Sequence, residues 1–348
     1  MMRMSWKNWN SGQRIMIIIL AVWVGCFLLD FIHEYWISIW SYHYDDVDAL
    51  RAFVPPFSEG ENGLHLLGTD RVGHDVFAGM IHGGRIAFQI VFFSLFISYF
   101  IGAFVGVNTA YYGNRRIKQN ILQIIILVLT TIATFYYLFD LIARTWTLFS
   151  FVLMIISPII GYILLKAADK LRFKKYPLPL DNLLLRVFEI RESIPALILI
   201  LAIISIIQNP SWFSLILTLI ALYWITFARH FRAETMNIKD NGYVKASEVL
   251  QLPHYIIKYK HILINVMPPV FVIAAFSAGS IILLESTLSF LGIGIPVEEV
   301  TWGVLLSEAR SVPKAWWLAV FPGLAIFLVI YALLNLGNYL SQLHRKNS

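Results

Sequence analysis

The chain has 348 residues, 58% of them hydrophobic and only 14% charged, with a mean hydropathy of +0.70. Soluble domains carry about 25% charged residues, so these values exclude intrinsic disorder and argue against a soluble two-domain enzyme. The formal charge of +6 would suggest nucleic acid in a soluble protein; here the positive residues mark topology, and a single cysteine, Cys26, excludes an intrachain disulfide framework or a Cys-based zinc site.

A bilayer core of ~30 Å needs about 20 apolar residues per helix. About eight stretches approach that length: 15–32, 86–110, 119–139, 146–165, 190–207, 212–230, 268–285 and 316–340. The pattern predicts an all-α polytopic membrane protein. The first stretch reads as an uncleaved anchor, because Trp23 is a poor residue upstream of the lipoprotein-like pair Gly25-Cys26 and no A-x-A-like site follows. Lys and Arg concentrate in alternate segments, as they do in cytoplasmic loops. These are Arg3 to Arg14, Arg115 to Lys118, Lys166 to Arg186, Arg229 to Lys260, and Arg345 with Lys346. Both termini are therefore expected in the cytoplasm. The opposite side holds an acidic loop, 33–85, too long for a bare connector. A second outer segment, 286–315, carries Gly292, Gly294, Pro296 and Pro313 and reads as re-entrant or as short helices. Trp36, Trp40, Trp212, Trp316 and Trp317 read as interfacial anchors.

Catalytic signatures are absent. There is no G-x-x-x-x-G-K-[ST] to cradle ATP phosphates, no H-E-x-x-H and no G-x-S-x-G elbow. His65, Asp70, His74, Asp75 and His82 are of metal-ligating types, yet their spacing matches no closed site. They read as a solvated, hydrogen-bonded loop, with a membrane-embedded enzyme as the alternative.

The inner segment 231–264 is more informative. Asn241-Gly242 signals a turn, and Tyr243-Val244-Lys245-Ala246-Ser247-Glu248-Val249-Leu250 reads as two helical turns that Pro253 closes. Val244, Val249 and Leu250 fall near one face, Lys245 and Glu248 on another. Such a helix either lies on the membrane surface or enters a groove on a cytoplasmic partner.

These residues resemble a family. Trp224 to Glu234, with Arg229 and Arg232, then Tyr243 to Leu250 and Lys260 to Asn265, are similar to the EAA loop of ABC-importer permeases, in the oligopeptide/dipeptide (OppC/DppC) branch. Leu67-Gly68-Thr69-Asp70-x-x-Gly73-His74-Asp75, with Gly84-Arg85 beyond, resembles that branch's entry to its second helix. Gly102-x-x-x-Gly106, Tyr111-Tyr112-Gly113, Leu185 to Pro195, Glu285 to Gly294, Trp302-Gly303 and Pro322-Gly323 come in family order. There are departures. His74 stands where the family has Arg, and Gln251 replaces a glycine, so that turn is expected to be made by other means with help from Pro253. The stretch at about 114–180 is an insertion that adds a helix pair to the family's six-helix core.

The resemblance implies a permease subunit of an ATP-driven bacterial importer for oligopeptides or dipeptides, working by alternating access. Nickel or another small solute is the alternative cargo. It implies no cofactor on this chain: ATP and magnesium belong to two cytoplasmic ATP-binding subunits. A homologous permease, an extracytoplasmic substrate-binding protein and the bilayer are the other partners, with no nucleic acid. Residues 1–85 form an anchor and outer loop, 86–340 the transmembrane domain and 341–348 a cytoplasmic tail. Residues 243–250 are the ATPase-coupling helix, with small Ala246 and Ser247 at its contact surface and Glu248 available to a partner cation. Glu285 is an intramembrane acid that Arg85 could pair. Gly102-x-x-x-Gly106 suits close helix packing, and Arg186 with Glu189 suits a surface ion pair.

Overall fold

The computed structural model describes residues 11–35, 42–60, 63–114, 118–143, 148–170, 174–207, 211–293 and 299–347. Arg3, Lys7, Trp36, Trp40, Arg115, Arg116, Gly294 and Pro296 lie outside the described residues. Among the described residues the fold is mainly helical. Its helices are α1 (Ser11–Tyr35), α2 (Val76–Tyr112), α3 (Ile121–Ala143), α4 (Leu148–Asp169), α5 (Leu180–Glu192) and α6 (Ala196–Ile206). They continue with α7 (Trp212–Ile238), α8 (Gly242–Val249), α9 (His254–Ile256), α10 (Leu263–Phe290), α11 (Trp302–Glu308) and α12 (Trp317–Asn347). A π-helical turn, Ile257–Ile262, joins α9 to α10.

Among the described residues, six segments are long and apolar enough to cross a membrane: Ser11–His33, Val76–Tyr112, Ser150–Asp169, Trp212–Ile238, His254–Phe290 and Trp317–Leu343. The chain is a multi-pass membrane protein. The sequence reading expects about eight such stretches; these six meet both criteria among the described residues. The expected span 190–207 is interrupted at Ser193-Ile194-Pro195, because a proline disfavours helix in the residue before it. The helix resumes as the 11-residue α6, about half a bilayer core at 1.5 Å per residue. Helix α3 is 23 residues long, Ile121–Ala143, and its stretch Ile121–Thr134 is apolar.

The chain divides into two compact units, and α2, α7 and α10 each contribute to both. One unit comprises residues 1–97, 211–220 and 268–348. Here α1 packs along α12, and α11 packs on α12. One core cluster in it gathers Val76, Val300, Leu305, Ala315, Trp317 and Leu318. Trp317 is therefore a core residue and not an interfacial anchor: it is 4% exposed, and its indole N–H donates to the Thr69 carbonyl at 3.0 Å.

The other unit comprises residues 98–210 and 221–267. In it, Gly102 and Gly106 let α2 meet the backbone of α7. A Cβ on Gly106 would press on the Ala228 carbonyl and come within 2.9 Å of Phe231 Cβ. Helices α3 and α4 form a hairpin closed at its neck. Strand β1 (Lys118–Asn120) pairs antiparallel with β2 (Lys175–Pro177), and beside it Asn114 and Asn182 exchange hydrogen bonds of 2.9 and 3.0 Å. Asn120 and Gln123 cap α3 reciprocally. Introducing a methyl at Gly106 should overpack the α2–α7 contact, at a cost of about 1–3 kcal/mol. Gly106→Ala should lower the thermal unfolding midpoint in detergent, whereas Gly25→Ala, with nothing within 4 Å, should leave it unchanged.

Candidate functional site

The polar segment after α7 is anchored before it reaches α8. Arg232 makes a two-pronged pair with Asp181, Nε to Oδ1 at 2.5 Å and Nη2 to Oδ2 at 2.8 Å. Arg229 pairs with Glu192 and lies 5.3 Å over the Phe188 ring. Both arginines thus bind α7 to α5, through acids that the sequence reading did not single out. Arg186 and Glu189 form a separate exposed pair at 2.6 Å.

Helix α8 covers the predicted turns. Its burial splits the expected apolar face. Val244 and Ser247 are buried, while Val249 and Leu250 are 81% and 72% exposed, with Tyr243, Lys245 and Ala246 also outward. A helix turns 100° per residue, so the outward set 243, 246, 249 and 250 forms one stripe. Ser247, expected beside Ala246 at a contact surface, turns inward off this stripe, and its hydroxyl donates to the Tyr243 carbonyl at 2.8 Å. Glu248 is half-buried and accepts from the Tyr111 hydroxyl at 3.4 Å. The helix ends in a Schellman motif. Leu252 N–H donates to the Ser247 carbonyl at 3.1 Å and Gln251 N–H to Glu248 at 2.9 Å. Gln251 sits in the left-handed region, φ 56°. The turn is therefore made at the family's glycine position itself, by a residue with a Cβ, and not by other means.

The motif at 67–75 forms a knot ahead of α2. Asp70 Oδ1 accepts from the N–H groups of Val72, Gly73 and His74, each at 2.8 Å, and Oδ2 meets His74 Nδ1 at 2.7 Å. Asp75 caps α2 through Ala78 N–H at 2.8 Å and holds the buried His65 at 2.8 Å. Thr69 bridges Arg51 and Val54. Gly68 and Gly73 have φ 83° and 98°, and a Cβ on either would strike backbone, Val54 and Asp48 respectively. The cluster is not a solvated loop. Asp70, Asp75, His65 and His82 are buried, and the set divides into Asp70–His74, Asp75–His65 and Asp30–His82 pairs. Arg85 lies against Asp30 at 3.0 Å. Glu285 instead accepts from the Ser289 and Ser286 hydroxyls at 2.8 and 3.2 Å, so the Arg85–Glu285 pairing is replaced on both sides.

The family described as "Binding-protein-dependent transport system inner membrane component" matches residues 167–345, just over half of the chain. The chain belongs to this family. A di/tripeptide transport system permease protein of Pseudomonas aeruginosa is 25% identical over 303 residues, covering 86% of this chain and 78% of that protein. A dipeptide transport system permease protein of Alkalihalophilus pseudofirmus is 23% identical over 281 residues, covering 80% and 71%. A Brucella suis protein named provisionally as a peptide transport system permease is 34% identical over 186 residues; the match covers 53% of this chain, which spans 60% of that relative's length.

In this transport-system component, the two departures at His74 and Gln251 have separate physical consequences. Burial pushes the Asp70 carboxyl up, but the bond and charge of His74, with the Val72 and His74 N–H donors, outweigh it and hold Asp70 below the usual carboxylate value. The Asp70 bond holds His74 above its ordinary value against burial, aided by the charges of Asp70, Glu308 and Asp45. A depressed carboxylate stabilises fully above its unfolded pKa, and a raised histidine fully below its own, about 3.9 and 6.5. The knot should be firmest between about pH 4 and 6.5, loosening in acid through Asp70 and in base as His74 deprotonates. Amide exchange at Val72 and Gly73, corrected for intrinsic rates, should show that plateau. His74→Arg should abolish the alkaline decline; an unchanged decline would remove the ion pair as its cause.

For Gln251, the left-handed conformation costs a residue with a Cβ about 1–2 kcal/mol relative to glycine. Gln251→Gly should slow exchange of the Leu250 to Leu252 amides, and Gln251→Val should speed it.

Proposed function

We propose that the chain is a membrane-spanning permease subunit of an ATP-driven importer of the oligopeptide/dipeptide type. The observation that carries this reading is the stripe on α8. Tyr243, Ala246, Val249 and Leu250 face outward from a short polar segment, and the helix is held from behind by Val244, Ser247 and Glu248. Backed in this way, the stripe can act as a stiff tooth for a partner's groove. With no phosphate-cradling loop in the sequence, ATP is bound with magnesium and hydrolysed by two separate cytoplasmic subunits, and this chain performs no covalent chemistry. A homologous permease completes the pathway, and an extracytoplasmic binding protein delivers substrate. The names of the relatives support peptides as cargo.

In this reading the chain sits in a bacterial inner membrane with both termini cytoplasmic. Residues 1–85 serve as anchor and outer loop, 86–340 as the transmembrane domain, and 341–348 as the inner tail. The outer His and Asp residues are engaged in capping and ion pairs, which favours transport over an enzyme built on them.

Ala246 lies at the centre of the stripe, and a tryptophan there must leave the partner's groove or force it open. Overpacking of about 1–3 kcal/mol corresponds to a roughly tenfold to hundredfold weaker association. Ala246→Trp should lose the ATPase subunits on co-purification and lose vesicle uptake, while membrane insertion persists. Normal co-purification with normal uptake would leave α8 as a helix lying on the membrane.

A further inference from the structure

Two sets of side-chain contacts join the segment around α8 to the last turns of α2, and neither uses the outward stripe. The first centres on Tyr111. Its hydroxyl donates to Glu248 Oε1 on α8 at 3.4 Å and meets His254 Nδ1 on α9 at 2.8 Å. The second centres on Lys258, which is 7% exposed. Its Nζ donates to Asn108 Oδ1 at 2.6 Å and to the Tyr112 hydroxyl at 3.1 Å, and it lies over the rings of Tyr112 and Tyr259 at 4.6 and 5.3 Å.

Lys258 belongs to the π-helical turn Ile257–Ile262. Such turns are rare and recur at functional sites. Here consecutive residues reach one side chain: Lys258 binds the Asn108 carbonyl, and the Asn108 amide donates to the Tyr259 hydroxyl at 3.2 Å. A buried ammonium is costly unless its donors are matched. Its holders are an amide, a phenol and two aromatic faces, neutral groups that work only in register. The contact is therefore made or broken as a whole.

A push on α8 reaches α10 through the chain itself, by way of Gln251 to Ile262. It reaches α7 through Lys239 to Asn241, and these side chains give it a direct path to the end of α2. We infer that Tyr111 and Lys258 are positioning residues that clamp the α8–α10 junction to the C-terminal turns of α2, so that displacement of α8 is delivered to α2. This inference rests on the importer reading and adds to it the route by which ATPase motion enters the transmembrane helices.

The test uses the assembled transporter in proteoliposomes with its binding protein and a labelled dipeptide, comparing wild type with Tyr111→Phe, Lys258→Met and Lys258→Arg. Uptake and ATP hydrolysis are read on the same sample. Tyr111→Phe and Lys258→Met should keep the ATPase subunits and their hydrolysis while dipeptide imported per ATP falls several-fold; Lys258→Arg should recover part of that loss. An unchanged ratio in the first two variants would overturn the clamp, and so would loss of ATPase co-purification, which would mean that these residues only shape the docking surface. Amide exchange across 243–250 in the purified chain provides a second readout independent of transport. Both variants should open α8 several-fold more often, and unchanged protection would also overturn the clamp. If wild type itself holds no ATPase subunits, the importer reading falls, and the exchange measurement alone decides the clamp.

Discussion

Backbone N–H and C=O groups cannot be left unpaired in hydrocarbon, so a chain that crosses a bilayer does so as helices whose hydrogen bonds close internally. Directional chemistry is thereby pushed to the helix ends, where the last carbonyls and first N–H groups need partners. Helix α2 illustrates the consequence at both of its termini. Its start is capped by Asp75 within the Asp70–His74 knot. Its end, Asn108 to Tyr112, carries the hydroxyls and amide that receive Lys258, Glu248 and His254. Between those termini, small residues decide how closely neighbours approach, as Gly102 and Gly106 do for α7.

The same constraint explains how the α3–α4 pair is accommodated. A hairpin of two apolar helices closes its own backbone bonds, and its neck needs only to return the chain to its starting point. The β1–β2 ribbon and the Asn114–Asn182 exchange accomplish this. Asn120 also donates to the Ala168 carbonyl near the end of α4 at 3.0 Å, which satisfies one of the orphan acceptors there. Thr134 and Ser157 meet at 2.8 Å within the hairpin, and Gly161 gives Thr130 room. Polar groups that would be costly against lipid are thus paired inside it.

Much of the fold was legible because its signals are local. Apolar length marks the spans, and Asn241-Gly242 marks the start of α8 to within a residue; Pro253, expected to close α8, instead lies four residues past its end as the N-cap of α9. Non-local features were not legible. The partners of Arg229 and Arg232, Glu192 and Asp181, lie far off in sequence, and periodicity does not report them. Trp317 looked like an anchor because it sits at a span end; only packing shows its indole inside a core. Arg85 and Glu285 were matched by charge, whereas geometry gives Arg85 to Asp30 and Glu285 to two serines. Lys258 counted only as one more inner positive charge, since nothing in sequence distinguishes a buried lysine from a solvated one.

The site around α8 turns on the marginal stability of that helix. Eight residues are too few to form a stable helix alone, because nucleation is costly and only a few hydrogen bonds offset it. Gln251 adds strain at its end, and Asn241 makes no side-chain cap at its start. The helix must therefore be held by its neighbours: Val244 and Ser247 inward, Glu248 through Tyr111, and the Schellman bonds to Leu252 and Gln251. Stiffness in α8 and its connection to α2 are thus one property, supplied by the same contacts. A stripe that is stiff because it is clamped from behind cannot be displaced without moving what clamps it.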